Sequence, residues 1–279
     1  MTTIAEIFEL ETIRFIEPSF ADLTDTRFNA LLAGHDAREG RLLLDEAEEP
    51  LALAFQGTDG WVAGSFLCRN PSVPLIDLFE SVNGEIFQEN RAIFAAAVRE
   101  YYSNALTAEV PPSIEDLNPA RRGILGTLIE NIWGSGTGET CVDCCCGSGV
   151  GSLVLRDLNY SPLSYDNDAA LLSRGLFAKR LLPAETMCIN AMIASQYVEP
   201  SPKGIGIMMG DINTFTQDMW EAIVRELFAA TKETLITVGT EPEARLVASW
   251  GEDMGRIVDV TRNPKDPIYD LWVCEAHIA

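Results

Sequence analysis

Basic residues are scarce in this sequence: 20 Lys and Arg stand against 42 Asp and Glu, a formal net charge of -22. No cluster of Lys and Arg offsets that field locally, so phosphate backbones are repelled and nucleic acid is a disfavoured partner. A solvated acidic surface with no partner meaning accounts for the same composition. Histidine is scarcer still. His35 and His277 are the only two, and neither lies in a recognisable catalytic pattern. No apolar run is long enough to span a bilayer. The opening residues MTTIAEIFELETIRFIE space acids among apolar side chains, unlike a secretory signal. These absences predict a cytoplasmic protein with no membrane partner.

Cysteine is present but in the wrong arrangement for a secreted framework. Three of the 7 cysteines are consecutive, Cys144 to Cys146, and adjacent cysteines do not bridge each other easily. Reduced thiols are expected. Cys141 and Cys144 have the gap that zinc and iron–sulfur sites use, yet no second pair or histidine nearby would complete a ligand set. Buried thiols and no metal are the expectation.

What the chain does have is enough apolar material for a core: 47% hydrophobic and 22% charged over 279 residues, sufficient for one large domain or two small ones. The first half carries apolar residues at helical spacing, in Ile4, Ile7, Phe8, Ile13 and Phe15, then in Phe20, Leu23, Phe28, Leu31 and Leu32. The run Leu51 to Leu67, centred on Gly57-Thr58-Asp59-Gly60, fits a hairpin or a pair of short helices. Glu85 to Leu106 reads as one long amphipathic helix. Pro111-Pro112 ends it and marks the expected domain boundary. Residues 1–112 are thus expected to be a mostly helical cap and substrate region, packed over strand ends of the second domain. Ser113 and Asp116 resemble a capping box that opens the first helix of residues 113–279.

After the glycine-rich stretch Gly134 to Gly138 the pattern changes to short apolar strands alternating with helices, the grammar of a parallel sheet with crossovers. Strands are expected at Thr140–Asp143, Ser161–Tyr165, Thr186–Ile189, Gly204–Met209, Leu235–Val238, Arg256–Thr261 and Tyr269–Ala276. Helices are expected at Val150–Leu158, Ala169–Leu182, Gln217–Thr231 and Glu241–Trp250. The link Asn263 to Pro267 is too short for a crossover helix, so the last two strands must be antiparallel.

One segment carries chemistry. Cys141-Val142-Asp143-Cys144-Cys145-Cys146-Gly147-Ser148-Gly149-Val150-Gly151 is a strand that enters a glycine loop and then a helix. Gly147 and Gly149 allow close approach of a ligand to the backbone, and the helix start offers N–H groups to polar atoms. Such loops also serve as ordinary tight turns. Asp166, at the end of the next strand, strengthens the cofactor reading, because a carboxylate there can accept both ribose hydroxyls of a nucleoside. Asp168 is the competing acid.

With these residues the sequence resembles the class I (Rossmann-fold) S-adenosylmethionine-dependent methyltransferases over about residues 113–279. The resemblance implies an α/β fold with a seven-stranded Rossmann-like sheet, its last strand antiparallel and inserted beside the fifth. It places the strand-end acid at Asp143, which would hold the loop or the methionine amino group through water. The cofactor loop falls on Cys145, Cys146, Gly147 and Gly149. Asp166 becomes the ribose acid, with Asn167 following it. The adenine-facing position falls on Asn190 and Ala191, and the fourth-strand region on Gly210 and Asp211. Most members have glycine where Cys145 stands. The cysteine variant occurs among nucleic-acid amino-methyltransferases, but their Asn/Asp-Pro-Pro-aromatic motif is absent from Met209-Gly210-Asp211-Ile212-Asn213. The implied activity is methyl transfer to a small molecule or a protein side chain, with the catalytic residue open. The alternative is a non-catalytic module that binds S-adenosylmethionine for sensing or interaction.

Overall fold

The computed structural model describes residues 2–115 and 117–278. The chain forms two compact units, Met1–Ala105 and Leu106–Ala279. In the first, helix α1 (Ile4–Ile7) opens with a capping box between Thr3 and Glu6. Strand β1 (Arg14–Phe15), helix α2 (Arg27–Ala33) and strands β2 (Glu39–Leu44), β3 (Pro50–Gly57) and β4 (Gly60–Ser65) follow. Helix α3 (Val73–Ser81), strand β5 (Glu85–Gln88) and helix α4 (Arg91–Glu109) complete it, and the division between units falls inside α4.

The five strands form one sheet in the order β1-β4-β3-β2-β5. Strands β2, β3 and β4 are an antiparallel meander, while β1 pairs parallel with β4 and β5 parallel with β2. The hairpin reading of Leu51 to Leu67 therefore holds. Leu51 to Phe55 are all fully buried, the continuous apolar run of a strand covered on both faces. Leu53, Phe55 and Val62 pack with Leu32, Leu75 and Phe79 of α2 and α3.

The expectation of a mostly helical N-terminal region is corrected here: helices are present, but a five-stranded sheet organises the unit. Strands of two and four residues are too short to show a period, so pairing partners decide their conformation and sequence spacing does not. The expected helix Glu85 to Leu106 is in fact strand β5 followed by α4. The break comes at Asn90, whose side-chain oxygen accepts the N–H groups of Ala92 and Ile93 at 2.9 and 3.2 Å, as N-cap residues do.

The second unit begins with helix α5 (Pro119–Trp133). It starts later than the Ser113 capping box predicts. Asn118 is the N-cap, accepting from the Ala120 N–H at 3.0 Å, and Pro119 takes the first helical position, where its missing N–H costs nothing. Ser113 instead donates its N–H to the Ala170 carbonyl at 3.0 Å, and Asp116 lies outside the described residues.

Strand β6 (Thr140–Cys144), helix α6 (Val150–Asp157), strand β7 (Ser161–Asp166), helix α7 (Ala169–Phe177) and strand β8 (Thr186–Cys188) come next. After them run strand β9 (Ser201–Gly206), helix α8 (Gln217–Ala230), strand β10 (Thr231–Val238), helix α9 (Glu241–Asp253) and strands β11 (Arg256–Arg262) and β12 (Trp272–Ile278). The sheet order is β11-β12-β10-β9-β6-β7-β8. All neighbours from β10 to β8 are parallel, and β12 runs antiparallel between β10 and β11. This is the seven-stranded Rossmann-like sheet with an antiparallel last strand beside the fifth that the resemblance implies.

Beneath the sheet, Leu125 and Ile129 of α5 and Val154 and Leu155 of α6 bury against Cys141, Ile205, Leu235 and Val273. Each fully buried aliphatic side chain contributes about 1.5–3 kcal/mol. Chain order reverses across β6 and β9, so the C-terminal ends of those strands form a topological switch point, the place where open α/β sheets bind ligands.

Three strands differ from expectation by more than one residue: β9, β12 and β10, which starts at Thr231 and not at Leu235, so that Thr231 leaves the helix expected to end with it. Strand β9 ends at Gly206, where Gly204 to Met209 was expected, because Met208 takes a left-handed backbone (φ 60°) and Met209 turns to donate to the Thr237 carbonyl at 2.8 Å. Strand β12 starts at Trp272 rather than Tyr269, since Asp266 gathers the N–H groups of Ile268 and Tyr269 into a turn at 3.1 and 2.9 Å.

Candidate functional site

The loop from Cys145 to Gly149 leaves β6 at the switch point. Cys145, Gly147 and Gly149 have φ of 53°, 53° and 84°, so every second residue is left-handed. That alternation explains why glycine suits this loop and identifies Cys145 as the strained member, a side chain in a region that L-residues avoid.

The two expected glycines have different surroundings. A Cβ at Gly149 would lie 2.5 Å from Leu181 Cγ, so this glycine serves packing, whereas a Cβ at Gly147 would meet nothing within 4 Å. Only Gly147 leaves open space above the backbone. Gly151, at the second position of α6, would put a Cβ 2.8 Å from an Asp143 carboxylate oxygen.

Hydrogen bonds from both sides hold the loop in place. The Cys146 N–H donates to the Tyr165 carbonyl at 3.0 Å and the Gly149 N–H to the Cys146 carbonyl at 2.9 Å. The Gly147 N–H donates to Asp166 Oδ2 at 2.9 Å. The Arg180 Nε–H donates to the Ser148 carbonyl at 2.8 Å.

Asp166 ends β7, and the N–H of Asp168 donates to its other oxygen at 2.8 Å. Burial raises its pKa, while the N–H groups of Asp168 and Gly147 pull it down. An ionised carboxylate has about four acceptor sites, so it retains capacity for ribose hydroxyls. Asp168 is engaged elsewhere, capping α7 through the N–H groups of Ala170 and Leu171 at 2.9 and 3.0 Å. Asn167, between the two acids, is exposed. The Ile189 N–H donates to the Asp166 carbonyl at 3.0 Å, which sets Asn190 and Ala191 just beyond the same strand end. Asn190 caps a short 3-10 turn by accepting from the Met192 N–H at 3.0 Å, and Ala191 is buried.

Asp143 is buried and faces helix α6. Ser152 Oγ donates to its Oδ2 at 2.5 Å and lies 2.6 Å from Ser164 Oγ. Burial pushes the Asp143 carboxyl up to about 7, opposed by the hydrogen bonds from Ser152. Of the two roles open to Asp143, the contacts seen are those of a group that holds the loop-to-helix junction.

Asp211 is exposed in the segment after β9 and has its carbonyl bonded by Thr216 Oγ1 at 2.6 Å. The structure thus joins Asp143, the Cys145–Gly149 loop, Asp166 and the Asn190 turn around one edge of the sheet, with Asp211 on the neighbouring strand's exit.

The cysteines fit the buried-thiol expectation. Cys144 and Cys146 are buried and Cys145 partly so, and all are free. The neighbouring Cys144 thiol, at 3.8 Å, and burial hold the Cys145 thiol well above its ordinary pKa. Thiolate chemistry is disfavoured there.

Sequence reasoning missed Ser152, Ser164 and Arg180. For Ser164 the sequence shows only a polar residue inside an expected strand, and its place beside Asp143 comes from the register of β6 and β7 in the fold. Arg180 gives no local signal, because its partner lies 32 residues away.

No protein-family profile matches the sequence, and no curated protein matches it. Solved structures do. Magnesium protoporphyrin IX methyltransferase from Synechocystis PCC 6803, with SAM bound, is 12% identical, with 66% of this chain and 97% of that one covered at a TM-score of 0.46. Precorrin-6y C5,15-methyltransferase from Geobacter metallireducens is 12% identical, covering 61% and 95% at 0.44. The methyltransferase domain of a bacterial Hen1 is 14% identical, covering 59% and 100% at 0.45.

Proposed function

We propose that the chain is an S-adenosylmethionine-dependent methyltransferase whose donor lies across the C-terminal ends of β6 and β7. The observation that supports this reading best is the bond from Gly147 N–H to Asp166, next to the open face of Gly147. One contact couples a backbone left bare for a ligand to a carboxylate with acceptor capacity for a ribose. Asn190 and Ala191 would border the adenine.

The donor supplies a methyl group on a positively charged sulfur. When bound, it would give up that methyl to an acceptor nucleophile, the sulfur retaining the electron pair and the acceptor's proton passing to water. The protein's own part is positioning. Asp166 would hold the ribose, the Cys145–Gly149 loop would leave the donor room beside Gly147, and Asp143 keeps that loop in register with α6 through Ser152. Holding two reactants in line supplies much of the rate by itself.

The acceptor is a small molecule or a protein side chain. The net charge of -22 disfavours nucleic acid. No helix among the described residues is long and apolar enough to cross a membrane, and the seven free thiols suit a reducing cytoplasm.

Transfer from methyl-labelled donor into a cell extract, separated into small-molecule and macromolecular fractions, tests the activity. Label in either fraction supports it. Donor binding with no label in any fraction would leave a binding module instead.

A further inference from the structure

The segment that follows β9 is anchored yet presents apolar side chains to water. Met208 N–H donates to Thr237 Oγ1 at 2.7 Å, and Ile212 N–H donates to Glu243 Oε1 at 2.9 Å. The turn beyond is tied by Phe215 N–H to Asn213 Oδ1 at 2.8 Å and by Asn213 N–H to Thr216 Oγ1 at 3.0 Å. On this firm support Phe215 is 99% exposed, and Met208 and Met219 are about 40% exposed. Met192 and Ile193, in the turn after β8, are exposed to nearly the same degree. Because β8 and β9 run parallel to β6 and β7, both segments leave the sheet at the edge where the Cys145–Gly149 loop sits.

Phe215, Met208 and Met219 belong to one anchored segment, and apolar surface gathered in one place, unlike the singly exposed Phe177 or Ile114, marks a binding surface. Methionines around it adapt to varied apolar shapes. Charge narrows the class further. Residues 189–199 and 207–219 contain no Lys, Arg or His, and carry Glu199, Asp211 and Asp218. Nothing there pairs with a phosphate or carboxylate, whereas the carboxylates and the face of Phe215 both attract a cation.

Resting on the methyltransferase reading, we infer that the segment from Met208 to Met219 is the acceptor platform, and that the acceptor is an apolar small molecule carrying a positive charge. Phe215 and Met208 contact its apolar body, and Asp211 faces its cationic group.

The test uses the full chain saturated with S-adenosylhomocysteine and three probes of one shape: naphthylmethylamine, naphthylmethanol and naphthoate. Binding is followed by ligand-observed NMR. The amine is expected to bind about tenfold more tightly than naphthoate, with the alcohol between them. Phe215→Ser is expected to weaken the amine and the alcohol alike by about fivefold, and Asp211→Asn the amine alone. Affinity for S-adenosylhomocysteine, measured in parallel, is the control. Naphthoate binding as tightly as the amine would overturn the inference, and so would an unchanged affinity in Phe215→Ser or no probe binding to the saturated protein. Failure of the wild-type chain to bind S-adenosylhomocysteine would instead overturn the methyltransferase reading beneath it.

Discussion

Single side chains around the loop make separable contributions. Replacing Asp166 by Ala removes a charge-assisted acceptor, so donor affinity is expected to fall by about 1–3 kcal/mol in calorimetry. An unchanged affinity would remove Asp166 from the ribose position. Cys145 occupies a left-handed backbone position at φ 53°. Cys145→Gly should therefore stabilise the fold by about 1 kcal/mol, read as a higher denaturant midpoint with unchanged slope. A lower midpoint would show that the thiol contributes packing that outweighs the strain.

Asp143 makes stability depend on pH. Its folded pKa of about 7 exceeds the unfolded value of about 3.9, so its contribution is fully present below about pH 4 and is lost as pH rises through about 7. Asp143→Asn is expected to flatten that part of the profile and to raise stability at pH 8 by about 1–3 kcal/mol. Ser152→Ala removes a donor that holds the carboxyl down, so the loss should extend to higher pH. An identical pH profile in both variants and wild type would contradict this account.

Among elements, the glycine loop divides its work between packing and access. Gly149→Ala meets Leu181 and should cost stability. Gly147→Ala has open space around it and should cost about 1 kcal/mol through its φ alone, while donor affinity falls further because the methyl group enters the ligand's space. Equal losses of affinity in the two variants would argue against this division.

Strands β6 to β12 were legible because turn residues bound most of them and helical periods separate the parallel ones. The short link Asn263 to Pro267 gave the antiparallel ending directly. Strands β1 and β5 were not legible, since Arg14–Phe15 and Glu85–Gln88 acquire strand character only from distant partners. The cofactor loop and Asp166 could be read from local pattern and spacing. The Ser152–Ser164 contact under Asp143, and the hold of Arg180 on Ser148, could not, since each joins elements that meet only in the folded chain.

For the molecule as a whole, the two units pose one question: whether the first acts in the same reaction as the second. We propose that it does, by governing which acceptor is taken. Protein nicked by limited proteolysis in the segment without helix or strand that follows α4, at Pro111 to Ser113, should keep donor affinity and lose transfer to the native acceptor. Undiminished transfer by nicked protein would make residues 1–112 a separate interaction module.

The central claim, that the second unit holds S-adenosylmethionine at the Cys145–Gly149 loop and Asp166, is tested most directly by isothermal titration calorimetry with S-adenosylmethionine and S-adenosylhomocysteine. The account expects saturable binding of both at one site per chain, weakened in Asp166→Ala. No heat from either ligand on protein shown to be folded would contradict it.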